Sequence, residues 1–156
     1  MTTSPNRQGA IAARVKRIRA GNDPELLAPM PSGFAILGKY QPAPVRGACM
    51  LLPAEVVPSP NELAPAQRAQ FFSDLVLLGD AILEVTGAER INYLVLCNQV
   101  PELHGHCIPR FADEDPARRL QGPFEAYDFG AARVADARGV DAELHAALQK
   151  ALRARL

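Results

Sequence analysis

The stretch that decides the fold is AQRAQFFSDLVLLGDAILEVT, residues 66–86. Its apolar residues recur at steps of four, three, four and three, which places them in one stripe along an α-helix: Phe71, Leu75, Leu78, Ile82 and Val85. Gly87 follows directly, where helices commonly end in a left-handed residue. The spacing therefore predicts a helix of about 20 residues that packs one face on a sheet.

Short β-rich segments lie on both sides of this helix. Before it, residues 34–40 and 48–52 predict two strands of an antiparallel hairpin with a long loop. After it, residues 90–97 predict a strand buried on both faces, and residues 102–109 predict a further strand. Residues 8–20 predict a short N-terminal helix, and leucines at 144, 148 and 152 mark a C-terminal one. Strands joined by short turns predict an α+β fold, an antiparallel sheet with helices on one side.

The composition predicts one domain. The chain has 156 residues, of which 48% are hydrophobic, enough for a single core in a domain spanning residues 1–156. The formal net charge is zero, so no overall field favours nucleic acid or a membrane as partner. Five basic residues precede the first acid, Asp23, and predict the solvated face of the N-terminal helix more readily than an anion-binding arm.

Cysteine usage and hydropathy predict a cytoplasmic protein. The three cysteines lie in apolar or strand-like runs, which is typical of reduced thiols rather than of a disulfide framework. No apolar run approaches the roughly 20 residues that cross a bilayer. Residues 1–6 contain no apolar run of a secretory signal. We therefore expect a soluble protein in the cytoplasm that binds neither membranes nor nucleic acid.

Titratable side chains suited to a functional site cluster in ELHGHCIPR, residues 102–110, which contains two of the three histidines of the chain. In a strand, side chains alternate between faces, so Glu102, His104 and His106 are predicted to share one face. Clustered titratable groups mark functional sites, and imidazole serves as nucleophile, base or phosphate partner. Gly105 weakens a strand, which suggests a close approach on its own face or a local bend. The segment is predicted to be the active or ligand-binding site.

The run NYLVLCNQVPELHGHCIPR, residues 92–110, resembles the signature of the histidine triad (HIT) family. The family motif is His-x-His-x-His followed by two hydrophobic residues, and one bacterial branch continues with Pro-Arg. The resemblance covers about residues 32–111 and leaves residues 1–31 and 112–156 as flanking segments. It implies a HIT-like sheet with the long helix packed on it, and a homodimer formed by pairing sheets and long helices.

The resemblance also implies a role for each residue of the site. His104 would attack the α-phosphate of a nucleotide and form a nucleotidyl-histidine intermediate, which water then cleaves. His106 and Asn98 would contact the phosphate, and Gln99 and Glu102 would adjoin the bound substrate. The implied activity is that of a nucleotide hydrolase or transferase, acting on a phosphoanhydride or phosphoramidate. Positioning and hydrogen bonds can support such transfer, so no metal or other cofactor is expected.

The chain departs from the family pattern at four positions. Glu102 stands where the family has its first histidine, and Val56 stands where many relatives have an upstream Pro-x-x-His. Cys97 replaces the glycine of a Gly-Asn turn, and Gly105 replaces a bulky residue. A carboxylate repels a phosphate unless it points away, is protonated or orients a histidine. A nucleotide-binding module without catalysis is therefore an alternative.

A metal site is a second alternative. A carboxylate and two imidazoles on one strand face, here Glu102, His104 and His106, can hold zinc or iron with an open position. That interpretation leaves the flanking Asn-Tyr and Ile-Pro-Arg unexplained. The third histidine, His145, lies in the predicted C-terminal helix and is interpreted as a surface or packing residue.

Overall fold

Five antiparallel strands form one sheet in the order β1-β2-β3-β5-β4. The structure is a computed structural model that describes residues 7–156, so residues 1–6 and the prediction made from them lie outside the described range. The helices and strands are α1 (Ala10–Arg19), β1 (Leu26–Met30), β2 (Gly33–Leu37), β3 (Cys49–Pro53), α2 (Pro65–Thr86), β4 (Arg90–Leu94), β5 (Gly105–Arg110), α3 (Pro123–Ala126) and α4 (Ala142–Arg153).

The long helix α2 has the predicted extent and packs on the sheet as predicted. It ends at Gly87, whose φ of 69° is left-handed. Its stripe is buried against strand residues such as Ala35 and Leu51 and against Leu148 of α4. The predicted α+β class, an antiparallel sheet with the long helix on it, is confirmed. Within residues 7–156, no helix combines the length and the apolar character that a membrane span requires.

The predicted hairpin forms as β2 and β3, but strand β1 was not predicted. β1 contains Pro29 and follows Pro24, and both residues argue against a strand in the sequence. Because β1 is the outermost strand, a residue without an N–H is tolerated there.

The predictions for the last two strands were partly wrong. β4 ends at Leu94 rather than at residue 97, and it is an edge strand. Burial on both faces is also wrong, because Ile91 is its one buried residue and Tyr93 is 40% exposed. β5 begins at Gly105 rather than at residue 102. Its pairing with β3 starts there, and the N–H of Leu103 donates to the Val57 carbonyl outside the sheet.

Helices cover both faces of the sheet, which corrects the prediction that they lie on one side. α2 and α4 lie on one face, whereas the apolar side of α1 packs on Ile36 and Leu52 of the other. Four of the five basic residues predicted to form a solvated face are exposed, namely Arg7, Lys16, Arg17 and Arg19. Arg14 is half-buried instead and forms an ion pair with Asp23 at 2.9 Å. The segment after β5 also covers this second face.

Candidate functional site

Two imidazole rings lie side by side on the face of the sheet that turns away from α2. His106 belongs to β5, with Met50 of β3 and Leu94 of β4 as its neighbours across the sheet. His104 immediately precedes the strand, and its ring centroid lies 5.0 Å from that of His106, edge to face. The two histidines therefore share a face, as the alternation of side chains predicted.

His104 is oriented by a main-chain carbonyl. The residue is 7% exposed, and its Nδ1 lies 2.7 Å from the carbonyl oxygen of Glu102. A carbonyl only accepts hydrogen bonds, so in the neutral ring Nδ1 carries the proton and Nε2 carries the lone pair. Within residues 7–156, Nε2 has no hydrogen-bond partner and is not sealed from solvent. An imidazole in this state can act as a nucleophile or as a base.

His106 is held in its neutral form. Burial, and secondarily the neighbouring His104, lower the pKa of His106 from 6.5 to about 4. Near neutral pH its ring therefore has one N–H donor and one acceptor nitrogen. Neither nitrogen has a hydrogen-bond partner in the part of the chain that the structure describes, and neither is sealed from solvent. The ring can donate one hydrogen bond to a ligand oxygen without adding a buried charge.

Two phenylalanine rings border His106 on one side. The ring of Phe124 meets His106 edge to face, with 5.0 Å between centroids, and Phe129 meets Phe124 at 4.9 Å. Both phenylalanines belong to the segment after β5, outside the residues that carry the family resemblance. No pattern in the sequence predicts this contact, because the segment has no periodicity that relates it to β5.

Glu102 lies outside the strand, and its carboxylate is bound by the N-terminal helix. Its Oε1 accepts a hydrogen bond from the N–H of Ile11 at 3.1 Å. The first turn of α1 has no acidic residue, and the Gly9 that precedes the helix cannot cap it with a side chain. Glu102 therefore supplies the acceptor and the negative charge that a helix N-terminus favours.

The turn that carries the remaining predicted residues lies between β4 and β5. Asn98 and Gln99 are both exposed there, and among residues 7–156 neither has a hydrogen bond to either histidine. The preceding Cys97 has a φ of 54°, the one positive φ of a non-glycine residue in the described chain. A left-handed residue at this position explains why a glycine would be favoured there, as the family pattern implies.

The side chains of this site do not form the three-ligand metal site that the sequence left open. Among residues 7–156, no group of three His, Cys, Asp or Glu side chains is placed to hold a metal ion. The physical reason is the position of Glu102, since its carboxylate is engaged by the first turn of α1.

Arg110 anchors the segment that follows β5. Its guanidinium, 4% exposed, donates to the carboxylate of Glu114, to Asn92 and to the carbonyl oxygens of Arg118 and Gln121. Burial alone would raise the pKa of Glu114, but the hydrogen bonds from Arg110 and from the Tyr127 hydroxyl hold it below its ordinary value. The Pro-Arg that ends the motif thus has a structural role beside the histidines.

The third histidine joins two elements away from this site. His145 lies in α4, is half-buried, and its Nε2 donates to the carbonyl oxygen of Leu26 at 2.9 Å. It therefore has a packing role between α4 and β1, in agreement with its interpretation from the sequence.

Comparison with known proteins gives a likeness in fold. No protein-family model and no curated protein sequence matches this chain. A histidine triad protein from Bradyrhizobium japonicum superposes with a TM-score of 0.67 at 20% identity, over 87% of this chain and 94% of that one. A histidine triad (HIT) protein from Sinorhizobium meliloti gives 0.65 at 23%, over 92% and 94%.

A third similar structure is described as a hypothetical histidine triad nucleotide-binding protein from Sulfolobus tokodaii. It gives a TM-score of 0.69 at 15% identity, over 91% of this chain and 92% of that one. All three matches extend into the segments that flank residues 32–111. With its five-stranded antiparallel sheet and its long packed helix, the chain has the fold of the histidine triad proteins.

Proposed function

We propose that this protein is a nucleotide hydrolase or nucleotidyl transferase that acts on the α-phosphate of a phosphoanhydride or phosphoramidate. The observation that carries the proposal is the 2.7 Å hydrogen bond between His104 Nδ1 and the Glu102 carbonyl. This bond leaves Nε2 of the same ring without a hydrogen-bond partner among residues 7–156, and the neutral ring of His106 lies 5.0 Å away, centroid to centroid, as a neighbouring donor. A nucleophile with an oriented lone pair and a neighbouring donor is the arrangement that nucleophilic catalysis needs.

His104 acts as the nucleophile in the proposed reaction. Its Nε2 lone pair attacks the α-phosphorus, the N–P bond forms, and the leaving group departs with its electron pair and takes a proton from water. The imidazole gains positive charge, so the hydrogen bond from Nδ1–H to the Glu102 carbonyl becomes charge-assisted and stronger. Water, or an acceptor hydroxyl in a transfer reaction, then attacks phosphorus and restores the Nε2 lone pair.

His106 and Asn98 contact the phosphate in this proposal. A neutral His106 donates one hydrogen bond to a non-bridging oxygen and stabilises the charge that develops there. Asn98 is exposed on the turn before β5, and its amide remains available to a ligand. Gln99 follows it on the same turn and adjoins the substrate. These assignments follow the family resemblance.

Glu102 is compatible with catalysis, although the family has a histidine at this position. What orients His104 is the main-chain carbonyl of residue 102, which is present whatever the side chain is. The carboxylate is engaged by Ile11 at the start of α1. A carboxylate does not repel a nearby phosphate when it points away from it, and this condition applies to Glu102, whose carboxylate is bound by α1.

A homodimer through α2 and β4 completes the proposal. The outer strand β4 leaves one edge unpaired, and it carries Tyr93, which is 40% exposed. On α2, Phe72 and Val76 are 40% and 49% exposed, and the Tyr93 ring lies directly over Gly79 of the same helix. An apolar surface beside an open edge strand favours association. Light scattering should give a dimer for the wild type and a monomer for Val76→Asp.

Intact-mass spectrometry tests the proposed chemistry. The protein is mixed with a panel of adenylated and guanylated phosphoanhydrides and phosphoramidates. We expect a nucleotidyl adduct on His104 and turnover that falls roughly 10³-fold or more in His104→Ala. His145→Ala is the matched control, because it removes a histidine that lies in α4 and bonds to Leu26.

One result separates the proposal from a binding module without catalysis. If the wild type binds a nucleoside monophosphate but forms no adduct and cleaves no member of the panel, the enzyme is excluded. The protein would then be a nucleotide-binding module without catalysis.

A further inference from the structure

Phe124 and Phe129 form a surface that we name the aromatic shelf. Phe124 is 39% exposed although it touches His106, so one side of its ring contacts an imidazole and another side is open. The neighbouring Ala126 and Tyr127 are buried and pack on Ile108. Those two buried residues therefore fill the core beneath this segment, and the exposed side of the Phe124 ring is free to contact a ligand.

The aromatic shelf is fixed in place by the same strand that carries His106. Phe124 lies in α3, and the carbonyl of Gln121, just before this helix, accepts a 2.6 Å hydrogen bond from Arg110. The carbonyl of Ala126, at the end of the helix, accepts from Arg118 at 3.2 Å. Both ends of the turn are thus held, and one of them is held by β5 itself. A rigid aromatic side chain loses little conformational entropy when it binds a ligand.

The shelf stands at the distance from the histidines that one ligand can span. With 5.0 Å between the Phe124 and His106 centroids, the two rings are in contact. A phosphate held by His106 therefore lies within one sugar unit of the shelf. Aromatic faces bind planar rings by stacking, which tolerates different bases because every base has a π-face.

We infer that the aromatic shelf binds a planar aromatic group joined to the phosphate, and that Phe124 thereby determines substrate specificity. This rests on the proposed function, since it requires a phosphate ligand at the histidines. Two parts of a substrate carry such a ring: the nucleobase, or an aromatic leaving group. Both share the chemistry that the shelf recognises.

Calorimetric titration with three probes tests the inference. Adenosine 5′-monophosphate carries a base, phenyl phosphate carries an aromatic ring in the place of a leaving group, and ribose 5-phosphate carries neither. We expect at least one aromatic probe to bind roughly tenfold or more tightly than ribose 5-phosphate, and Phe124→Ala to remove that advantage. The affinity for ribose 5-phosphate should stay unchanged, which also shows that the variant is folded.

Two further variants separate stacking from simple packing. Phe124→Leu keeps an apolar side chain but lacks a π-face, so it should lose most of the advantage, whereas Phe124→Tyr should keep it. Leu120→Ala is the control, because Leu120 lies in the same segment and is 88% exposed. If Phe124→Ala loses the tighter binding of adenosine monophosphate, the aromatic shelf binds the nucleobase. If it loses the tighter binding of phenyl phosphate, the aromatic shelf binds an aromatic leaving group.

Two outcomes would overturn the inference, and they differ in what else they overturn. Equal affinity of the wild type for all three probes, or an equal loss for all three in Phe124→Ala, excludes a stacking role and leaves the proposed function intact. Failure of the wild type to bind any of the three probes contradicts the proposed function and this inference together.

Discussion

The face of β5 that packs on α2 and the face that turns away from it differ in the contacts that hold them. On the α2 face, the Leu75 side chain fills the space over Gly105, and the Cys107 thiol donates to the Leu75 carbonyl, in surroundings that are otherwise apolar. On the opposite face, His106 and Arg110 alternate with Ile108, and Arg110 is held by hydrogen bonds to residues distant in the chain. One face is close-packed and apolar, whereas the other, here called the polar face, combines these polar side chains with an apolar contact of Ile108 with Ala126 and Tyr127.

Within β5, the residues that pack in the core therefore lie on one face, and the residues of the candidate site lie on the other. Close packing leaves no room for a ligand, whereas on the second face His104 Nε2 has no hydrogen-bond partner among residues 7–156. The second face is covered at two places, by α1 through Glu102 and by the segment after β5 through Arg110. His104, which is 7% exposed, lies next to Glu102 in the chain, and His106 contacts Phe124 of the segment after β5.

The largest expected effect is on the Arg110 network of the polar face. Glu114→Ala leaves the buried Arg110 guanidinium without its carboxylate, and breaking a buried ion pair in this way costs about 3–5 kcal/mol. Urea unfolding measures it. The control is Glu84→Ala, which removes an exposed Glu–Arg pair with Arg155 and should cost less than about 1 kcal/mol. Equal losses in the two variants would show that the Arg110 network does not hold the second face.

The next effect tests the close-packed face. Gly105→Ala places a Cβ 2.6 Å from Leu75 Cδ1, in a core where Leu75 is 2% exposed and has little room to move. Overpacking of this kind costs about 1–3 kcal/mol. Gly122→Ala is the matched control, since a Cβ there meets nothing within 4 Å. A loss in Gly105→Ala no larger than in the control would mean that α2 does not approach β5 as closely as described.

The same contrast decides what could be predicted from the sequence. α2 was placed to within a residue because its stripe is a local pattern, and a close approach at Gly105 was one of two interpretations, beside a local bend, that a glycine in a strand left open. The polar face depends on distant partners. Glu102 and Ile11 are 91 residues apart, and no local pattern relates them. Phe124 was missed for the same reason, because its contact with His106 is made by a segment with no periodicity.

The strand boundaries failed for a related reason. Residues 95–97 and 102–104 have strand-like composition, yet they leave the sheet. Composition reports how well a segment fits a pleated, half-buried surface, and it does not report where the partner strand ends. Cys97, three residues beyond the end of β4, has a positive φ in the turn that leads to β5.

The pH dependence of stability tests the environment of His106. Burial, with His104 second, lowers its pKa from 6.5 to about 4, so the unfolded chain binds a proton in this window and the folded chain does not. Stability should therefore be complete above pH 6.5 and fall as the pH drops towards 4, by roughly 2 kcal/mol once partial exposure is allowed for. Unfolding at several pH values measures it.

A variant isolates this titration from that of the carboxylates. His106→Asn should flatten the stability profile between pH 6.5 and 4. Glu114 and Asp141, whose pKa values are held below their ordinary values of 4.5 and 3.8, lose their contributions as the pH falls through and below those values, and they do so in both proteins. The difference between the two profiles therefore belongs to His106. A wild-type profile that is already flat in this window would contradict a buried, neutral His106.

The smallest expected effect is at Glu102, whose carboxylate binds the first turn of α1. Glu102→Ala removes the acceptor for the Ile11 N–H, and loss of such a cap at a helix N-terminus costs about 1 kcal/mol. Glu102→Gln keeps an acceptor but loses the charge, so it should fall between wild type and Glu102→Ala. The orientation of His104 uses the main-chain carbonyl of residue 102, which neither substitution removes. Adduct formation should therefore stay within a few-fold of wild type while stability changes. Loss of the adduct with stability unchanged would instead place the Glu102 carboxylate in the reaction.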